Sequence, residues 1–203
     1  MKMKKIMFND KFGLTQSVLN NVKKQTRRNF TLTLHEKIGD DMEEVFPEKV
    51  YTDNGNWKFV YRNKIFSLPK QNCPKYNVGD IVAIAQRYED IVSGILVDDC
   101  KEFEGKDPWM LAGWKNKMFV RPEYMIHHIR ITRVEIQRIQ DITDEDCINE
   151  GVLKENENFV VKGINKTYKT PKEAFKELIV KMNGKKFWQE NRYVWVYSFE
   201  LID

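Results

Sequence analysis

Apolar residues recur along this chain with two different periods, and the switches between them mark out its predicted elements. Ile6 to Phe8 reads as a short first strand. Leu14, Val18, Leu19 and Val22 recur at helical spacing behind Thr15, a suitable N-cap, so a helix is predicted over about residues 15–22. Phe30 to Leu34 alternates as a strand would. Between the helix and that strand sits Lys23-Lys24-Gln25-Thr26-Arg27-Arg28, four cations and a hydroxyl in six residues at an exposed junction.

Residues 36–72 change texture. An acidic tract, Asp40 to Glu44, leads to Tyr51 and then to Asn54-Gly55, a hairpin signal ahead of the β-prone runs Trp57 to Tyr61 and Ile65 to Leu68. An inserted β-hairpin or meander closed by Pro69 and Pro74 is expected, with aromatics forming a small core rather than a base-stacking surface. Ile81 to Ala85, introduced by Gly79-Asp80, is an unbroken small-apolar run and reads as a buried central strand. Ser93 to Gly113 mixes charge, Gly and Pro, as a loop or second insertion would.

The most legible strand runs from His127 to Ile139, and its inside-outside parity slips after Ile131, as a β-bulge requires. His127 and His128 fall on opposite faces of that strand, so they cannot chelate one metal side by side. Thr143 caps a short acidic helix ended by Gly151. Glu150, in its last turn, opposes the helix dipole and calls for a compensating cation or a function. After a third insertion at 152–169, Thr170-Pro171 opens a helix with Ala174, Phe175, Leu178, Ile179 and Met182 on one stripe. Tyr193 to Leu201 is a final strand expected to close the sheet. The order predicts an α+β chain: one domain over 1–203, a small mixed β-barrel with helices at its ends, interrupted at about 36–72, 93–120 and 152–169.

Composition narrows the partners. With 34 basic and 30 acidic residues the net charge is only +4, so any nucleic-acid footprint must come from clustering rather than excess. Cys73, Cys100 and Cys147 are dispersed and form no C-x-x-C pair, which suits a reducing, cytoplasmic setting and argues against a disulfide scaffold or zinc site. No run approaches a membrane span, and no Gly-rich phosphate loop, nucleophile elbow or metal-binding motif is present, so neither a cofactor nor a metal is expected.

Two chemistries remain open for the hexad. Thr26 is a nucleophile only beside a base, and Lys23, three residues away, is the local candidate if the segment is helical. Neighbouring cations and burial would lower the Lys23 pKa, whereas an ionised Glu150 nearby would raise it. Alternatively the cations gather with Lys2, Lys4 and Lys5, or with Lys115, Lys117, Arg121, Arg130 and Arg133, into a phosphate-binding surface. The plain structural reading is a solvated helix end.

Five blocks in order resemble the ASCH domain family, in the manner of its phage-encoded and prophage-encoded members. They are Leu14 through Arg28; Tyr76-Asn77-Val78-Gly79-Asp80-Ile81-Val82; Arg130 through Asp146 with Asn149-Glu150-Gly151; Ala174 to Leu178; and Asn191 to Val196. The resemblance implies a PUA-like β-barrel with a cleft beside the basic motif, binding RNA or a modified nucleoside or nucleotide. Lys24, Arg27, Arg28 and Arg130 are then ligand-binding candidates. One bacterial branch is an amidohydrolase that deacylates N4-acetylcytidine with a lysine, a threonine nucleophile and a glutamate, positions that fall on Lys23, Thr26 and Glu150. The glycine usual before the lysine is replaced by Asn21-Val22, and the chain is much longer than the compact enzymes. A phage accessory protein acting through its insertions is a further alternative.

Overall fold

The computed structural model describes residues 3–32, 34–38, 41–91 and 105–203, with side chains omitted at 36–38 and 41–44. The chain opens with β1 (Lys4–Ile6) and α1 (Leu14–Leu19), then β2 (Gln25–Asn29). A hairpin follows, β3 (Leu34–Ile38) and β4 (Asp41–Val45), and then a meander, β5 (Lys49–Asp53), β6 (Asn56–Tyr61) and β7 (Lys64–Ser67). β8 (Ile81–Ile84), α2 (Tyr88–Ile91), β9 (His128–Arg138) and α3 (Asp144–Asn149) come next. The third insertion is a small sheet of β10 (Leu153–Glu155), β11 (Asn158–Val160) and β12 (Thr167–Tyr168). The chain ends with α4 (Pro171–Asn183), α5 (Lys185–Gln189) and β13 (Tyr193–Leu201).

This is a mixed α+β fold whose main sheet runs β1-β8-β9-β13-β2, with β1 parallel to β8 and the other neighbours antiparallel. The expected bulge is present: Ser198 pairs with Arg133 and Phe199 with Ile131, leaving Thr132 as the extra residue. β13 does not close the sheet; it runs through it between β9 and β2. Its sequence agrees with that place, because Val194 through Tyr197 are all buried, as a strand covered on both faces requires. Among the described residues no ladder joins β1 to β2. The two edges nevertheless face each other: the Arg28 guanidinium donates to the Met7 carbonyl, and Phe8, just past β1, lies 5.7 Å from Phe199 of β13.

Two local expectations are corrected near the basic hexad. The helix is capped by Gly13 at φ 61 rather than by Thr15, whose hydroxyl bonds the Asp10 carboxylate instead. The strand expected at Phe30 to Leu34 lies upstream, at Gln25–Asn29, because β13 offers its edge to the cationic residues; Phe30 and Leu32 are buried outside the ladder. In the meander, Val50 and Phe59 join the main core, and Trp57 meets Trp195 edge-on at 4.6 Å, so the insertion extends the core rather than holding one of its own. Of the expected insertion at 93–120, residues 93–104 lie outside the described residues, and the rest is built of short turns at Pro108–Met110 and Lys117–Phe119.

Candidate functional site

The sequence turns sharply after α1. Asn21 adopts φ 56, a left-handed conformation that asparagine tolerates better than most residues. The amides of Val22 and Lys23 then both donate to the Ser17 carbonyl at 2.9 Å, and the Lys24 amide crosses to the Asn149 carbonyl at 2.8 Å. That crossing sets the end of α1 against the end of α3 and directs the Lys23 side chain inward, where the residue is 2% exposed. Gly151 is needed at the same contact: it has φ 103, and a Cβ there would come 3.2 Å from Leu14.

The Lys23 ammonium donates to the Glu150 carboxylate at 2.6 Å and to the Glu150 carbonyl at 2.8 Å. The unfavourable carboxylate at a helix C-terminus is thereby explained, since the lysine caps the helix and neutralises the acid together. Arg27 supplies a second counter-charge, donating to the other Glu150 oxygen and to Asp146, each at 2.9 Å. Its guanidinium also faces the Gln137 carboxamide, which accepts from it when the amide oxygen points inward. Strand alternation separates the two arginines: Arg27 lies over Phe175 of α4 at 5.8 Å, and Arg28 over Phe8 at 5.6 Å.

Burial pulls the Lys23 pKa below its ordinary value, and the Arg28 and Arg27 charges add to the shift; the Glu150 charge and hydrogen bond oppose it without reversing it. The Cys147 thiol behind them is pushed up to about 12 by burial, which makes it inert as a nucleophile.

Lys23, Thr26, Arg27, Arg28 and Glu150 share one cleft of about 280 Å³. Thr26 is 4% exposed, and among the described residues its hydroxyl is bonded to neither Lys23 nor Glu150. The rest of the lining is largely apolar and includes Phe8, Leu14, Phe175, Leu178, Ile179 and Met182. The apolar stripe of α4 ends at the cleft: Met182, its last member, is 40% exposed and lines it. Gln137 carries no sequence signal beyond polarity, and Asp146, third after the Thr143 cap, is marked in the sequence as a first-turn acid of α3 and not as a partner of Arg27.

Other cationic candidates are placed elsewhere. Lys24 is exposed and engages the site through its backbone alone, and Arg130 is outside the cleft, paired with Glu200 at 3.0 Å. Lys4 bonds Asp80, while Lys5 donates to the carbonyls of Lys117, Met118 and Val120. Lys117 is 8% exposed and turned inward, so it belongs to the interior and not to a phosphate-binding surface.

A small ligand with one apolar face and one polar edge fits such a cleft, whose volume lies near the low end for ligand pockets. Among the described residues no group of His, Cys, Asp or Glu could hold a metal ion, and no helix is long and apolar enough to cross a membrane. The chain matches no protein-family model, no curated protein and no solved structure.

Proposed function

We propose that this chain is an ASCH-type, PUA-like domain whose cleft binds a single modified nucleoside or nucleotide, free or presented by RNA. The observation that carries the reading is convergence. Lys23 and Thr26 line one cleft with Glu150, 127 positions beyond Lys23, and Lys23 and Glu150 share a 2.6 Å ion pair. The apolar lining would cover a base face while the hydroxyl and charged groups meet its polar edge. Two further facts support the resemblance: Asn21 takes a left-handed conformation where a glycine is usual, and the two edges of the main sheet face one another across Arg28. Binding of N4-acetylcytidine by calorimetry tests the reading, and no heat at millimolar ligand would overturn it.

A second reading, hydrolysis of the acyl amide, is favoured by the lowered Lys23 pKa and by the cleft that Lys23 and Thr26 share; it requires the Lys23 ammonium group, bonded to Glu150 here, to come within reach of the Thr26 hydroxyl when substrate binds. In its neutral form Lys23 would take the proton from Thr26 Oγ1 as that oxygen attacks the acyl carbonyl. The resulting ammonium would return the proton to the departing N4 amine, leaving an acyl ester on Thr26 that water hydrolyses. Glu150 would position Lys23, and Arg27 would keep Glu150 in place. Thr26→Ala is expected to reduce deacetylation of N4-acetylcytidine by at least about a hundredfold. Undiminished turnover in that variant would exclude the threonine mechanism while leaving the binding reading intact.

A further inference from the structure

Arg27 and Arg28 are adjacent, but only Arg27 is neutralised. Arg27 meets Glu150 and Asp146, whereas Arg28 has no carboxylate within ion-pair distance among the described residues and makes one hydrogen bond, to the Met7 carbonyl. Its guanidinium is partly buried over Phe8, and burial holds its pKa below the ordinary arginine value. Among the described residues its five N–H donors meet one hydrogen-bond acceptor, and the carboxylate that acts on it through space, Glu150, is already bonded by Lys23 and Arg27, so the guanidinium keeps donors to spare.

The surroundings indicate where further acceptors would come from. Arg28 and Asn29 line the cleft just described and also a second cavity of about 340 Å³ on the other side. That second cavity is walled by Tyr76, Trp195 and Tyr197, with the polar side chains of Asn72 and Gln71 and the exposed Lys75 at its margin. It is rigidly built: the Tyr76 hydroxyl donates to the Lys5 carbonyl at 2.8 Å, the Lys75 amide donates to the Tyr197 hydroxyl at 3.0 Å, and the two tyrosine rings meet edge-on at 5.3 Å. The two cavities share Arg28, whose guanidinium lines both and can meet an anion held between them.

We propose that Arg28 binds the phosphodiester between two nucleosides, the first in the Lys23-Thr26-Glu150 cleft and the second in the Tyr76-Trp195-Tyr197 cavity. The inference rests on the reading of the first cleft as a nucleoside site and makes its ligand a segment of an RNA strand rather than a free nucleoside. Guanidinium recognises phosphate oxygens by paired N–H donors, and Tyr76, Trp195 and Tyr197, each 4% exposed or less, shape the second cavity rather than offer a stacking face.

Five probes test it on the full chain: N4-acetylcytidine, its 5′-monophosphate, its 3′-monophosphate, and the two dinucleotides joining it to uridine on either side. One dinucleotide is expected to bind at least about tenfold tighter than the nucleoside, and tighter than the matching monophosphate. Raising salt should erode that advantage, and Arg28→Gln should bring the dinucleotide-to-nucleoside affinity ratio close to one. Arg28→Lys, which keeps the charge, should retain part of the gain if loss of the Met7 contact destabilises the glutamine variant. Equal affinity for nucleoside and dinucleotides in the unaltered protein overturns the inference and leaves the cleft reading standing. Equal affinity for monophosphate and dinucleotide overturns the second-cavity assignment. Silence from every probe, the nucleoside included, sinks both readings.

Discussion

Lys23 and Lys117 are both buried lysines, 2% and 8% exposed, and their ammonium groups are used in different ways. Lys117 spends its three donors on three acceptors: the Phe8 carbonyl at 2.7 Å, the Asp10 carboxylate at 2.8 Å and the Thr15 hydroxyl at 3.1 Å. It stitches a distant turn to the segment around α1. Lys23 has two acceptors, both from Glu150, and lines a cleft with one donor unassigned among the described residues. Burial of a cation therefore marks no site by itself. Unspent bonding capacity beside a cavity does.

Three perturbations would break or sharpen that contrast. The largest effect is expected for Glu150→Ala, which leaves Lys23 and Arg27 without their shared counter-charge and should cost about 3–5 kcal/mol in urea unfolding. Adding Lys23→Met should recover a substantial part of the loss, so the two substitutions should be strongly non-additive. A loss below about 1 kcal/mol for Glu150→Ala would mean that the ion pair is not a coupled unit. Lys117→Met comes next, at about 2–3 kcal/mol, since it abandons buried acceptors held by a charged donor. Nucleoside affinity under native conditions should stay within about twofold, and a larger drop would assign Lys117 to the site.

The smallest effect is the most diagnostic. The Lys23 pKa is lowered in the folded chain from an ordinary 10.5, so between those two values the unfolded chain binds more protons. Stability should then rise with pH across that window, by at most about 1.4 kcal/mol per pH unit, and the cost of burying the charge is fully felt below it. Cys147 and Tyr76, both raised to about 12, act in the opposite direction once their unfolded counterparts ionise near pH 9–10. Urea midpoints from pH 7 to the ordinary lysine value of 10.5, with Lys23→Met as reference, isolate the lysine. A flat difference between the two proteins would contradict the lowered value.

Much of this was legible in the sequence, for identifiable reasons. Parity in β9 located the Thr132 bulge because side chains alternate without exception in a paired strand. Thr143 and Gly151 bounded α3 because caps are local chemistry, and Glu150 stood out because it violated a local electrostatic rule. The hexad was misread for the same reason: four charges mimic a helix end, and nothing local reveals that β13 will supply a ladder to Gln25–Asn29. The pairing of Arg27 with Asp146, and the lack of a carboxylate in ion-pair contact with Arg28 among the described residues, are tertiary facts that adjacent identical residues could not disclose.

The backbone of Lys24 has a consequence for how the molecule forms. Its amide bonds Asn149 and its carbonyl accepts from Phe199, so one residue ties the beginning, the middle and the end of the chain. Beside it, the Lys23 to Glu150 bond spans 127 positions. Closing loops of that length must precede any reward from the contacts they bring, which places the cleft among the late events of folding. A nascent or partly unfolded chain has no cleft to offer. A ligand held there would act as a thermodynamic latch on the finished fold, favouring the native state without speeding the search for it.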